Sequence, residues 1–341
     1  MIFKGKTVLF DNPPVITASA GVGGKKEGEG PLRNEFDEVF DDTTMGQESF
    51  EQAESALLKN AVIRALTKAN KSAADVDFIM TGDLLNQCTG SCFALKDLEI
   101  AFIGMYGACS TMALTLCNSA MLIDAGAHCW SAKPSSHFAS SERQFRYPLE
   151  YGGQRPPTSQ WTVTGAGAAV VVKNGNGPKI KAIHIGTITD LGIKDANNMG
   201  AAMAPAAAKT ISDFLDDTQT AADDYDLILT GDLGYTGSTL LGYTGSTLLH
   251  EVLALEYHKN IKSVHNDCGL MIYDLKEQDV NSGGSGCGCS ASVLCSHIMN
   301  KINDGKYNRV LFVATGALMS PTSAKQGQPI PGIAHAVLIE N

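Results

Sequence analysis

The sequence predicts an α/β protein built from two duplicated βαβ halves related by a pseudo-twofold axis. Three observations carry this. Residues 73–84 read AADVDFIMTGDL and residues 222–233 read ADDYDLILTGDL, with eight of the twelve positions identical. Each copy is followed by a Cys-headed helical run: Ala108-Cys109-Ser110 opens one that ends at Gly126, and Gly288-Cys289-Ser290 opens another that ends at Gly305. Each half then closes on a strand pattern, AAVVV at 168–172 and AHAVLI at 334–339. Strands alternating with helices imply parallel sheets covered on both faces.

Taken in order, residues 1–48 are irregular, with Pro13-Pro14, Gly23-Gly24 and the run Lys25 to Pro31, and read as a surface arm with little core of its own. The first half spans 49–175 and the second 176–341. Ala53, Leu57, Ala61 and Ala65 recur at helical spacing, and Ser49 is placed to cap a helix running to about Asn70. Asp77-Phe78-Ile79-Met80, stopped by Thr81-Gly82-Asp83, reads as a buried strand. The octet LGYTGSTL occurs twice in tandem, at 233–240 and 241–248. It is too short for a solenoid unit and is assigned no function.

Composition narrows the function classes. With 341 residues and 44% hydrophobic content the chain can bury a large core, which excludes wholesale disorder. The formal charge of -10 disfavours nucleic acid and anionic membranes as bulk partners, so any anion must be held by a local pocket. The nine Cys show no framework spacing, and charges at Lys4 and Lys6 leave no secretory leader, which fits a reduced compartment. Ile100 to Ile123 lacks charge, but Gly104, Gly107 and Asn118 interrupt it, and buried core is the better reading than a membrane span.

Cys109 stands at a strand–turn–helix junction, where free amides and the helix dipole favour a thiolate or bind a carboxylate. The plain alternative is a small buried hydrophobe. The turn Gly283 to Cys289 lacks both the dinucleotide fingerprint and the phosphate-loop Lys, so close backbone packing explains it better. Cys88, Cys92, Cys287, Cys289 and Cys295 lack the paired spacing of a metal site, and no metal or cofactor is expected. His137, Arg143, Arg146 and Arg155 could supply positive charge for a planar carboxylate if the fold brings them to Cys109. His265-Asn266-Asp267-Cys268 invites a Cys/His pairing.

Several segments together resemble the stage V sporulation protein AD family of the thiolase and ketoacyl-synthase superfamily. They are Tyr106-Gly107-Ala108-Cys109-Ser110, the run Gln144 to Gly153 (QFRYPLEYGG), the run Gln160 to Gly167 (QWTVTGAG), Met203 to Ala207 (MAPAA), and Ala314 to Thr322 (ATGALMSPT). The resemblance covers nearly the whole chain. It implies a thiolase-like fold layered α/β/α/β/α and binding of dipicolinic acid, alone or with calcium. It further implies loading of the spore and release at germination, and peripheral association with the spore inner membrane through other stage V sporulation A membrane proteins. A homodimer is the superfamily habit.

In condensing enzymes the nucleophilic Cys works with a His and a second His or Asn. Cys109 matches the nucleophile. The first partner's place holds Thr230-Gly231-Asp232, and the second falls near Gly284-Ser285. The expected reading is a retired active site kept as a binding pocket, with Cys109, Ser110, His137, Arg143, Arg146, Asp232 and Ser285 as candidate ligand residues. The alternative is an active Cys-dependent acyltransferase or ketoacyl synthase in which His137 or His265 serves Cys109. A scaffold for membrane partners is the third.

Overall fold

The computed structural model describes residues 1–127, 129–145, 155–235 and 245–341. Ten strands form its framework. In the first half they are β1 (Val15–Gly23), β2 (Phe78–Gly82), β3 (Ala101–Gly104), β4 (Cys129–Ser136) and β5 (Gly165–Val172). In the second they are β6 (Lys179–His184), β7 (Leu227–Thr230), β8 (His265–Asp267), β9 (Arg309–Ala317) and β10 (Gly332–Glu340). The strand order is 3-2-4-5-1 in one half and 8-7-9-10-6 in the other, which is the same topology twice. In each, four strands run parallel to one another and one, β5 or β10, runs antiparallel between two of them. The halves meet where Val15 of β1 pairs with Lys179 of β6.

Six helices cover these strands: α1 (Phe50–Lys68), α2 (Thr89–Leu95), α3 (Thr111–Asp124), α4 (Met199–Thr218), α5 (Gly245–Glu256) and α6 (Cys287–Val293). A π turn over Leu294–Ile298 carries α6 on into Met299–Asn303. Alternation along the strands separates three cores. Leu57, Leu58 and Val62 of α1 pack on Val22, Ala168 and Val170. Met112 and Leu116 of α3, with Val293 beyond them, lie between the sheets against Val171, Phe312 and Val337. Met203, Ile211 and Phe214 of α4 cover Ile228, Val313 and Leu338. The stacking is therefore α/β/α/β/α, as expected.

Local signals explain the helix starts. Ser49 accepts a hydrogen bond from Gln52 N at 3.3 Å and begins α1 where the sequence places it. The segment 1–48 departs from its reading as an arm. Residues 15–23 are β1, a central strand paired to β5 along its length. Small residues at 18–21 hid it: an added Cβ at Gly21 would stand 2.6 Å from Ser292 O, so α6 packs directly on the strand there.

Glycines also bring the halves together. At Gly167 a Cβ would lie 2.1 Å from Ala291 O, and at Gly288 2.2 Å from Gly165 O. The glycine-rich turn before α6 thus serves close packing, as its sequence suggests. Among the described residues no helix is long and apolar enough to cross a membrane. Ile100 to Ile123 divides into β3, a turn and buried α3.

Candidate functional site

Cys109 sits where the chain leaves β3 and enters α3. Ala108 takes a positive φ of 49°, which turns the backbone sharply and drives Cys109 inward, leaving it 5% exposed. Ser110 is buried, its hydroxyl donating to Gly107 O at 2.6 Å, and Thr111 Oγ1 donates to Ala108 O at 2.6 Å. The hydroxyls that open α3 fold back on the turn and hold it.

The second TGD copy comes to meet this turn. Asp232, fully buried, follows β7 and its carboxylate bears electrostatically on the Cys109 thiol. Ser285 Oγ donates to Asp232 Oδ2 at 3.0 Å, Gly286 N to the same oxygen at 2.9 Å, and Thr315 Oγ1 to Oδ1 at 2.9 Å. Three of the sequence candidates, Cys109, Asp232 and Ser285, thus form one cluster at the junction of the halves.

The electrostatics overturn one expectation. A helix N-terminus should lower the thiol's pKa, yet burial first, and the Asp232 charge second, push Cys109 well above the ordinary range. Asp232 is itself pushed up to about 6 by burial. At neutral pH the pair is a protonated thiol beside a carboxylate, an arrangement with little nucleophilic thiolate.

A cavity of about 270 Å³ opens beside the cluster, with Cys109, Ser285, Tyr106, Phe145 and Met199 in its wall. Asn86, Gln87, Gln144, Thr162 and Ser320 add amides and hydroxyls. The volume is just under the ~300–1,000 Å³ common for drug-sized ligands, so the fit is to a small molecule.

The described cationic candidates, His137, Arg143 and Arg155, are placed elsewhere. His137 is buried as the cap of the short helix Phe138–Glu142: its Nδ1 accepts from Ala139 N at 3.2 Å, and its Nε2 meets Thr43 O at 2.9 Å. Burial holds it below the usual imidazole range. Arg143 pairs with Glu51 at 3.1 Å and Arg155 with Glu142 at 2.7 Å, the latter also lying over the Trp161 ring. None of the three lines the described cavity wall. His265 bonds Thr230 and His250 and is not in that wall either. Arg146 and residues 236–244 of the tandem octet lie outside the described residues.

Sequence reading missed two supports of the site, Thr315 and Asp267. Asp267 accepts from Thr230 Oγ1 at 2.6 Å and from Leu233 N at 2.9 Å, bracing the turn that carries Asp232. The motif Asp267-Cys268 was visible, but its place opposite the TGD turn follows only from the parallel pairing of β7 and β8.

Two duplicated halves around a buried Cys at a helix head define a thiolase-like fold class. Solved structures agree on the fold. The 3-oxoacyl-[acyl-carrier-protein] synthase III of Aquifex aeolicus matches with a TM-score of 0.55 at 13% identity, over 96% of this chain and 100% of its own. An OleA of Xanthomonas campestris matches at 0.59 and 12% identity, over 98% and 100%. Within that class this chain belongs to the Stage V sporulation protein AD (SpoVAD) family, whose profile matches residues 4–340. It is 44% identical to the Stage V sporulation protein AD of Bacillus subtilis (strain 168), over 100% of this chain and 98% of the relative.

Proposed function

We propose that the protein is a non-catalytic small-molecule-binding protein of the spore, which binds dipicolinic acid for uptake during sporulation and release during germination. The observation that carries the non-catalytic reading is the buried carboxylate of Asp232, whose charge bears on the Cys109 thiol where a condensing enzyme needs a donor. A condensing enzyme needs hydrogen-bond donors near its Cys to stabilise an oxyanion. An ionised carboxylate offers acceptors only and repels such a charge. Losing one oxyanion donor alone lowers turnover about 100- to 1000-fold.

The cavity suits a planar pyridine dicarboxylate in size, with aromatic and thioether faces against the ring and amides and hydroxyls for the carboxyl groups. Family membership supports the spore as its setting. Association with the spore inner membrane would then run through partner membrane proteins, since no described helix is suited to crossing. Titration calorimetry with dipicolinate tests this reading: saturable binding is expected, weakened roughly five- to tenfold in Cys109→Ala and in Ser285→Ala, as loss of a hydrogen bond predicts. The enzyme alternative predicts a covalent acyl adduct from acyl-coenzyme A, seen by intact-mass spectrometry and absent in Cys109→Ala. Saturable binding without an adduct favours the pocket; an adduct without dipicolinate uptake reverses the reading.

A further inference from the structure

A chain of four side chains runs from partly buried α5 to the back of the site. His250 Nε2 and His265 Nδ1 are 3.0 Å apart, and His265 Nε2 and Thr230 Oγ1 are 2.9 Å apart. Thr230 Oγ1 donates to Asp267 Oδ2 at 2.6 Å. Asp267 is fully buried and accepts from Leu233 N at 2.9 Å, Gly234 N at 3.3 Å and Gly269 N at 3.1 Å.

Counting donors fixes the direction of every bond. The Thr230 hydroxyl has one proton and directs it to Asp267, so it accepts from His265 Nε2–H. That tautomer leaves His265 Nδ1 as an acceptor, and His250 Nε2–H donates to it. Leu233 and Gly234, the residues held by Asp267, follow Asp232 directly in sequence.

We infer that His265 is a positioning residue for the Cys109–Asp232 pocket, with His250 fixing its tautomer so that Thr230 and Asp267 hold the turn that aims Asp232. This rests on the pocket reading proposed above. The chain is more than a satisfied pair of histidines because it ends on the backbone of the site. Cutting it should loosen two particular amides before the fold as a whole.

The test uses the full chain with His265→Leu and His265→Gln. Amide exchange at Leu233 and Gly234, followed without ligand, is the first readout, and dipicolinate titration the second. In His265→Leu the two amides should exchange at least tenfold faster, with Leu57 to Val62 of α1 unchanged, and dipicolinate binding should weaken about fivefold. His265→Gln, whose amide keeps an N–H for Thr230, should restore most of both. Unchanged exchange at Leu233 and Gly234 in His265→Leu would overturn the inference, as would a Gln variant no better than Leu. Should His265→Leu fail to fold, Thr230→Val cuts the chain one link further in and must give the same local loosening. If the wild type takes up no dipicolinate, the proposed function falls while the exchange measurement still decides the strut.

Discussion

Asp232 is the residue on which the proposed non-catalytic reading rests. A single carboxylate, held by Ser285, Gly286 and Thr315, faces a thiol that burial keeps protonated. Because its folded pKa is pushed up to about 6, Asp232 is neutral below that pH and charged above it. An anionic ligand therefore meets added repulsion as pH rises through about 6. Calorimetric titrations of dipicolinate at pH 5.5 and 7.5 should show weaker binding at the higher pH, and Asp232→Asn should flatten the difference. At this scale the sequence was legible in part. Cys109 is marked by its turn and helix, and the resemblance pointed to Asp232 and Ser285 as its neighbours. His137 and Arg143 were misplaced because a lone polar residue carries no sign of which surface it packs against; both are engaged in local capping and pairing.

At the scale of elements, helices announced themselves through caps and periodicity, whereas β1 did not. After Val15-Ile16-Thr17, its Ala18-Ser19-Ala20-Gly21 stretch has no bulky side chain to mark a strand, since helix backbone lies against Gly21. The cap at Ser49 is simple enough to quantify: Ser49→Ala should cost ~0.5–2 kcal/mol in urea unfolding, the usual range for a lost N-cap. The glycine contacts are stricter. Gly167→Ala places a methyl 2.1 Å from the Ala291 carbonyl oxygen, backbone against which it cannot relax without moving α6. Overpacking of this kind typically costs ~1–3 kcal/mol, and the melting temperature should fall accordingly. The two TGD copies show how duplication diverges. Asp83 accepts from Ser91 N and Oγ within its own half, while Asp232 reaches across to Cys109.

For the molecule as a whole, repetition in the sequence was the strongest guide, since it gave two equal sheets before any contact was known. What it could not give was the way the N-terminal segment ties the halves together. Glu27 is buried at that tie, accepting from Tyr273 OH and from Thr164 N at 3.0 Å. Burial pushes its pKa up to about 7, so the folded state holds a proton there that the unfolded chain, near 4.5, releases earlier. Stability from this group is present below about pH 4.5 and is lost as pH rises toward 7. Glu27→Gln keeps the acceptor oxygen without the charge, so its urea midpoint should gain on the wild type between pH 5 and pH 8.

The central claim is that a condensing-enzyme fold has become a pocket for a small dicarboxylate. Titration of dipicolinate into the full chain by calorimetry tests it most directly. One saturable binding event, weakened by Cys109→Ala and by Ser285→Ala in proteins that still unfold cooperatively, is the predicted result. A cooperatively folded wild type that takes up no dipicolinate at millimolar concentration would contradict it.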